Sequence, residues 1–256
     1  MLALITGASS GIGRDMARYL NKLGYDIIIT ARSEDKLKEL KDELDSKNMG
    51  KVDVIISDLS KEEECIKLYN EVKSKYKNLD LLVNNAGFGL CGEFNKSDLN
   101  RELSMIDTNI KGLHILMKLF LSDMVKEDKG KILNVASIAG FMPGPLMSTY
   151  YASKAYVIRL SQAIREELKK EKSKVQISVL CPGPVDTNFN KVADVNFNAS
   201  SLTSEKVAKY AIDKTLKDKF IIIPGFSIKC IRFLSKIMPD SVMAKACFKI
   251  QEKRIK

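Results

Sequence analysis

The sequence predicts a doubly wound α/β protein: a parallel sheet of seven strands in the order 3-2-1-4-5-6-7, helices on both faces and a C-terminal helical extension. Three observations carry this expectation. Short apolar runs recur along the chain, each followed by a charged stretch with apolar residues at helical spacing, the pattern of parallel βαβ units with right-handed crossovers. The first run leads straight into a glycine-rich turn, Thr6-Gly-Ala-Ser-Ser-Gly-Ile-Gly13. Finally, 256 residues, 45% of them hydrophobic and 29% charged, suffice for one large domain with a substantial core.

The strands are expected at 2–6, 26–31, 52–57, 81–84, 131–136, 175–180 and 220–223. Runs such as Leu-Ala-Leu-Ile and Ile-Ile-Ile suit strands buried on both faces. Residues 33–47 and 60–76 each carry one apolar stripe and read as covering helices. The stretch 182–204, rich in Pro, Gly, Asn and Ser, is the one long irregular connection, and 184–204 is expected to form a lid over a site. No repeat or internal boundary divides residues 1–225, which read as a single catalytic domain. Beyond Pro224-Gly225, residues 226–256 alternate apolar and basic side chains, with Pro239 separating two helical stretches.

Charge is distributed unevenly. The formal net charge is +10, yet residues 1–218 hold 33 basic and 30 acidic side chains, whereas 219–256 hold nine basic and two acidic ones. The excess therefore belongs to the tail, which argues against nucleic-acid binding by the domain. A basic amphipathic tail has two readings: it packs on the domain, caps the substrate pocket or joins subunits, or it lies peripherally on an anionic membrane. No run approaches the roughly 18 apolar residues of a membrane span, and Met1-Leu-Ala-Leu-Ile-Thr6 lacks the basic start of a secretory signal. Five dispersed cysteines without a C-x-x-C pair fit a reducing cytoplasm and argue against a disulfide framework or a metal site. The sole histidine, His114, reads as a packed helix residue, which leaves a Ser-His-Asp hydrolase poorly supported.

The glycine turn carries the first chemical signal. Gly7, Gly11 and Gly13, with Ser9, Ser10 and Ile12 between them, follow a strand and open a helix. That context permits close backbone approach to a pyrophosphate at the helix N-terminus, as in Rossmann-type dinucleotide sites. The spacing G-x-x-x-G-x-G differs from the plain Rossmann fingerprint and lacks the G-K-[ST] ending of a P-loop, which disfavours ATP hydrolysis. The second strand ends in Ile29-Thr-Ala-Arg32-Ser33 with no carboxylate at its tip. Arg32 and Ser33 suit a 2′-phosphate, favouring NADP(H) over NAD(H), although Glu34 and Asp35 follow at once.

Three Tyr-x-x-x-Lys pairs occur, at Tyr69/Lys73, Tyr150/Lys154 and Tyr210/Lys214, where chance alone gives about one. Topology separates them. Strand three lies on the adenosine side, away from the nicotinamide half, whereas Tyr150 follows strand five, with Ser137 thirteen residues upstream at that strand's carboxyl end, where open α/β sheets bind ligands. An ordinary tyrosine is a poor base at neutral pH, and Lys154, one helical turn on, supplies a cation expected to lower its pKa.

Taken in order, Thr6–Gly13, Asp58-Leu59, Asn84-Asn-Ala-Gly87, Asn109-x-x-Gly112, Ser137, Tyr150-x-x-x-Lys154 and Pro182-Gly183 with Thr187 resemble the compact single-domain members of the short-chain dehydrogenase/reductase family, over about 1–225. The resemblance implies NADP(H)-dependent hydride transfer between a carbonyl and an alcohol. Tyr150 would act as general acid/base, Ser137 would hold the carbonyl oxygen, Lys154 would hold the ribose, and Asn109 would hold a water linking Lys154 to solvent. Asp58 would face the adenine, Asn84, Asn85, Ala86 and Gly87 would stabilise the central strands and the cofactor, Thr187 would hold the nicotinamide carboxamide, and Leu59, Pro182, Gly183 and Val185 would also contact the cofactor.

The family resemblance also implies a homodimer or homotetramer and no metal. Apolar residues in 137–147 (Ile138, Phe141, Met142, Pro143, Leu146, Met147) and in the lid (Val185, Phe189, Val192, Val195, Phe197) point to a hydrophobic substrate of the 3-oxoacyl, steroid-like or xenobiotic kind. The rival is a non-catalytic NADP(H)-binding sensor or scaffold, which the intact Ser137, Tyr150 and Lys154 disfavour.

Overall fold

The computed structural model describes residues 1–186 and 202–255. Strands β1 (Leu2–Thr6), β2 (Asp26–Ala31), β3 (Val52–Ile56), β4 (Leu81–Asn84), β5 (Lys131–Val135), β6 (Gln176–Leu180) and, at the far edge, Ile221–Ile222 form one sheet. Every pairing in it is parallel. The order is the expected one, with Ile221–Ile222 as its seventh member. Between the strands run α1 (Gly11–Lys22), α2 (Glu34–Asp45), α3 (Glu62–Lys75), α4 (Leu99–Ile106), α5 (Leu113–Lys126) and α6 (Ser148–Lys170). A π turn, Asp107–Gly112, joins α4 to α5, and a 3₁₀ turn, Ile138–Phe141, follows β5.

The stretch read as wholly irregular contains one regular feature: β7 (Val185–Asp186) pairs in parallel with β8 (Leu202–Thr203). Thr187, Phe189, Val192, Val195 and Phe197 lie outside the described residues. Helix α7 (Ser204–Leu216) then leads to the edge strand β9 (Ile221–Ile222), and the tail forms α8 (Phe226–Ile237) and α9 (Asp240–Ile255), broken at Pro239 as expected.

Alternation along the strands divides the interior into two layers. Ala3, Ile5, Ile27, Ile29 and Leu133 face one side, against Met16 and Leu20 of α1, Leu37 and Leu40 of α2, and Val207 and Ile212 of α7. Leu2, Leu4, Ile28, Leu82 and Ile132 face the other, against Leu68 of α3, Leu116 and Phe120 of α5, and Val157 and Ile158 of α6. Each Leu, Ile, Val, Met or Phe among them stabilises the fold by about 1.5–3 kcal/mol relative to exposure, so both helical layers are tied to the sheet along its length. Among the described residues, no helix is long and apolar enough to cross a membrane.

One polar thread runs through the second layer. Asn84 Nδ2 donates to Asn134 Oδ1 at 2.9 Å, and Asn134 Nδ2 donates to Ser161 Oγ at 2.9 Å, linking β4, β5 and α6. All three side chains are buried, so the thread fixes the long helix α6 against the strand ends. Asn134→Leu keeps the branched shape but strips the Asn84 amide of its acceptor, and the expected loss is about 2–3 kcal/mol in urea denaturation. An unchanged midpoint would show that the thread contributes nothing.

Candidate active site

A cavity of about 860 Å³ lies along the carboxyl ends of the strands. Its walls take Gly7 from beyond β1, Arg32 from β2, Asp58 from β3, Asn85 to Gly87 from β4, Ser137 from β5, and Pro182 and Gly183 from β6.

At one end β1 hands over to α1 through Gly7 (φ 64°) and Gly11 (φ 55°), both in the left-handed region that favours glycine. A methyl group on Gly7 would sit 2.8 Å from Ala86 Cα, and one on Gly13 would strike the Asn85 amide and lie 2.6 Å from the Gly7 carbonyl. Thr6 Oγ1 accepts the backbone N–H groups of Asn85 (2.9 Å) and Ala86 (3.0 Å), locking the two loops together. Thr6 and Gly13 therefore shape the site from behind and do not line it. Ser9, Ser10, Gly11 and Ile12 do line it, and the N-cap Ser10 makes no side-chain cap bond. The first amides of α1, with the positive end of its dipole, thus open on the cavity as an anion cradle.

Beside that cradle stand Arg32, Ser33 and Lys36. Neither Arg32 nor Lys36 has an ion-pair partner among the described residues. Ser33, the N-cap of α2, makes no side-chain cap bond. Glu34, which left NAD(H) open in the sequence, pairs with Lys38 at 2.7 Å, and neither Glu34 nor Asp35 is among the lining residues. Lys36 escaped the sequence reading. Its position three residues after the N-cap is the signal that places it over Ser33. Asp58 Oδ1 accepts the Ser60 N–H (3.1 Å) and hydroxyl (2.8 Å), which holds Asp58 and Leu59 at the cavity wall.

At the other end Ser137, Tyr150 and Lys154 converge. Ser137 Oγ accepts the Ala139 N–H at 3.2 Å, capping the 3₁₀ turn, and its hydroxyl is hydrogen-bonded with the Tyr150 phenol. A methyl group on Gly140 would lie 2.6 Å from the Lys154 carbonyl carbon, so only a glycine lets this turn rest on α6. Lys154 Nζ donates to the Val135 carbonyl at 3.0 Å and lies 5.7 Å from the Tyr150 ring centre. Burial pushes the Tyr150 phenol well above its ordinary value, the Ser137 hydrogen bond draws it partly back, and Tyr151 raises it further. Burial also pushes the Lys154 ammonium down to about 8.

Asn109 is buried but does not line the cavity. Its Oδ1 accepts the Phe88 N–H at 3.0 Å, and its Nδ2 donates to the Phe88 carbonyl (2.9 Å) and to Ser153 Oγ (3.2 Å). Its side chain thus clamps the loop after β4 to α6 rather than reaching toward solvent. His114, read as packed, is exposed, with Nδ1 2.8 Å from Tyr156 Oη. The rejected Tyr69/Lys73 pair converges on the Asp123 carboxylate, at 2.8 and 3.0 Å, away from the cavity.

The tail supplies the outer wall. Ile228, Ile231 and Leu234 of α8 and Met243, Ile250 and Gln251 of α9 line the cavity. Gln251 Nε2 donates to Tyr151 Oη at 2.7 Å, and Arg232 stacks on the Phe141 ring at 3.8 Å. Packing over the pocket, one of the readings open from sequence, is what these contacts show.

The family model for short chain dehydrogenases matches residues 1–198. An uncharacterised oxidoreductase of Staphylococcus saprophyticus is 34% identical over 212 residues, 82% of this chain and 89% of that one. A probable NADP-dependent dehydrogenase of Haemophilus influenzae is 34% identical over 221 residues, 82% of this chain and 85% of that one. The crystal structure of a short-chain dehydrogenase/reductase from Burkholderia phymatum in complex with NAD gives a TM-score of 0.84 at 25% identity, covering 91% of this chain and 92% of that one. The chain belongs to the short-chain dehydrogenase/reductase family and is an oxidoreductase of that class.

Lys154 also allows a stability test. A lysine whose folded pKa is depressed destabilises the fold while charged, and that penalty fades as pH rises from about 8 to the ordinary value of 10.5. Lys154→Met is therefore expected to be more stable than the parent by about 1–3 kcal/mol at pH 7. The gap should close near pH 10 in chemical denaturation. A variant less stable at pH 7 would contradict the burial cost.

Proposed function

We propose that the protein is an NADPH-dependent carbonyl reductase of hydrophobic ketones or aldehydes, reversible as an alcohol dehydrogenase. One observation carries the reading: a single cavity joins an open helix N-terminus flanked by unpaired Arg32 and Lys36 to a dry end holding Ser137, Tyr150 and Lys154. The glycine cradle and the two cations fit a dinucleotide carrying a 2′-phosphate, and the Haemophilus relative named a probable NADP-dependent dehydrogenase supports that choice. In this reading residues 1–225 form the catalytic domain and the tail its outer wall.

Arg32, Ser33 and Lys36 hold the 2′-phosphate, Ser9 to Gly13 the pyrophosphate, and Asp58 and Leu59 the adenine. Asn85, Ala86 and Gly87 lie along the middle, with Pro182, Gly183, Val185 and Thr187 assigned to the nicotinamide end. When bound, the reduced dinucleotide supplies hydride to the substrate carbonyl carbon. Ser137 Oγ and Tyr150 Oη hold the carbonyl oxygen, and Tyr150 gives it a proton. The raised phenol pKa keeps that proton in place at neutral pH. Lys154, still protonated at pH 7, stabilises the phenolate left behind, an attraction strengthened by the dry surroundings, and holds the ribose. Asn109 acts as a positioning residue through Phe88 and Ser153. The apolar lining, Ile138, Met142, Met147, Ile228 and Met243 among it, favours a substrate with a large hydrophobic body.

A panel of ketones, aldehydes and 3-oxoacyl thioesters followed by NADPH absorbance tests the activity directly. Tyr150→Phe is expected to lower kcat by about 10²–10⁴-fold while NADPH binding, read by fluorescence, stays within about twofold. Full turnover in that variant would overturn the mechanism. Arg32→Ala with Lys36→Ala should weaken NADPH by about 10–100-fold and leave NADH nearly unchanged. Equal losses for both would remove the basis for the cofactor choice.

A further inference from the structure

The tail carries surface that the reductase reading does not use. Helix α8 is apolar on two sides: Ile228 and Ile231 line the cavity, while Phe226, Cys230, Phe233 and Ile237 recur at helical spacing on the opposite face. There Phe226 is 82%, Phe233 63% and Ile237 66% exposed. A helix that served only as a pocket wall would be polar on that side. Helix α9 buries Met243, Cys247 and Gln251 and exposes Lys245, Lys249 and Lys253 at successive turns. Lys229 and Lys236 border the α8 ridge, and α8 contains no acidic residue. None of these five lysines has an ion-pair partner among the described residues. The ridge is continuous with the cavity, because Ile231, Leu234 and Ile250 line it while remaining 37%, 49% and 51% exposed.

We propose that this face docks on an anionic lipid bilayer, so that the cavity wall formed by α8 and α9 lies at the membrane surface. The apolar ridge enters the headgroup–acyl boundary, and the lysines meet the anionic headgroups. Self-association through the same patch would bring the lysines of two copies together with no acidic residue on α8 to meet them, so charge favours the lipid over a second copy. An acidic soluble protein would match the lysines but gives no reason for Phe226, Phe233 and Ile237 to be bare. Delivery of an apolar carbonyl substrate from the bilayer rests on the reductase reading; the docking itself does not.

The test is co-sedimentation of the full chain with vesicles of phosphatidylcholine alone and of an equal mixture with phosphatidylglycerol. Binding to the anionic vesicles only, weakening with salt, is the expected result. Lys245→Gln with Lys249→Gln should weaken it by about 25-fold, roughly fivefold per lysine. Phe233→Ser with Ile237→Ser should abolish it, with the melting midpoint and NADPH binding unchanged, since neither residue lines the cavity. No binding, equal binding to both vesicles, or a dimer dispersed by the Phe233/Ile237 variant would overturn the proposal. Because the readout is partitioning and not turnover, a negative result leaves the reductase reading intact, and a failed ketone panel leaves the docking result interpretable.

Discussion

Parallel pairing constrains everything else in this protein. Strands that all run one way end at one edge, and the return helices must lie on the two faces, so that edge alone is left for chemistry. β1 and β4 are neighbours although far apart in the chain, and the crossovers diverge from that point, which opens the crevice where Gly7 and Asn85 meet. Buried clamps then hold the loops at the edge. Thr6 ties the first loop to the fourth, and Asn109 grips Phe88 at both its N–H and its carbonyl. These clamps never touch the cavity, yet they set the distance between its walls.

The cavity has two electrostatic regimes. Around Arg32 and Lys36 charge is exposed and available, which suits a phosphate. Around Tyr150 and Lys154 burial dominates and disfavours charge in both groups, raising the phenol and lowering the ammonium. The Ser137 hydrogen bond favours the phenolate, so in the proposed mechanism the serine both holds an oxygen and tunes its neighbour. The tail contributes to this dryness by covering the pocket with Ile228, Met243 and Gln251.

Much of this was legible in the sequence, for identifiable reasons. β1, β2 and β4 begin and end as expected, because strands buried on both faces read as near-continuous apolar runs. Pro239 marks the break in the tail for want of a backbone N–H. Ser137, Tyr150 and Lys154 could be placed together because strand order decides which Tyr-x-x-x-Lys pair reaches the nicotinamide half. What stayed hidden depends on tertiary detail. Lys36 sits among charges that look like an ordinary solvated helix face until Ser33 is known to cap it. Spacing shows that Lys154 neighbours Tyr150, but not that Val135 takes its proton donor or that burial outweighs its charge. Nor does spacing reveal that Asn109 spends its side chain on Phe88, or that Val185-Asp186 finds Leu202-Thr203 within a stretch of loop composition.

The central claim is that the crevice at the strand ends binds a dinucleotide and brings a carbonyl to Ser137 and Tyr150. A crystal structure of the protein grown with NADPH and an unreactive ketone analogue tests it most directly. The account predicts the adenosine beside Arg32 and Lys36, with the ketone oxygen within hydrogen-bond distance of both Ser137 Oγ and Tyr150 Oη. A dinucleotide bound elsewhere, or a ketone oxygen that meets neither hydroxyl, would contradict it.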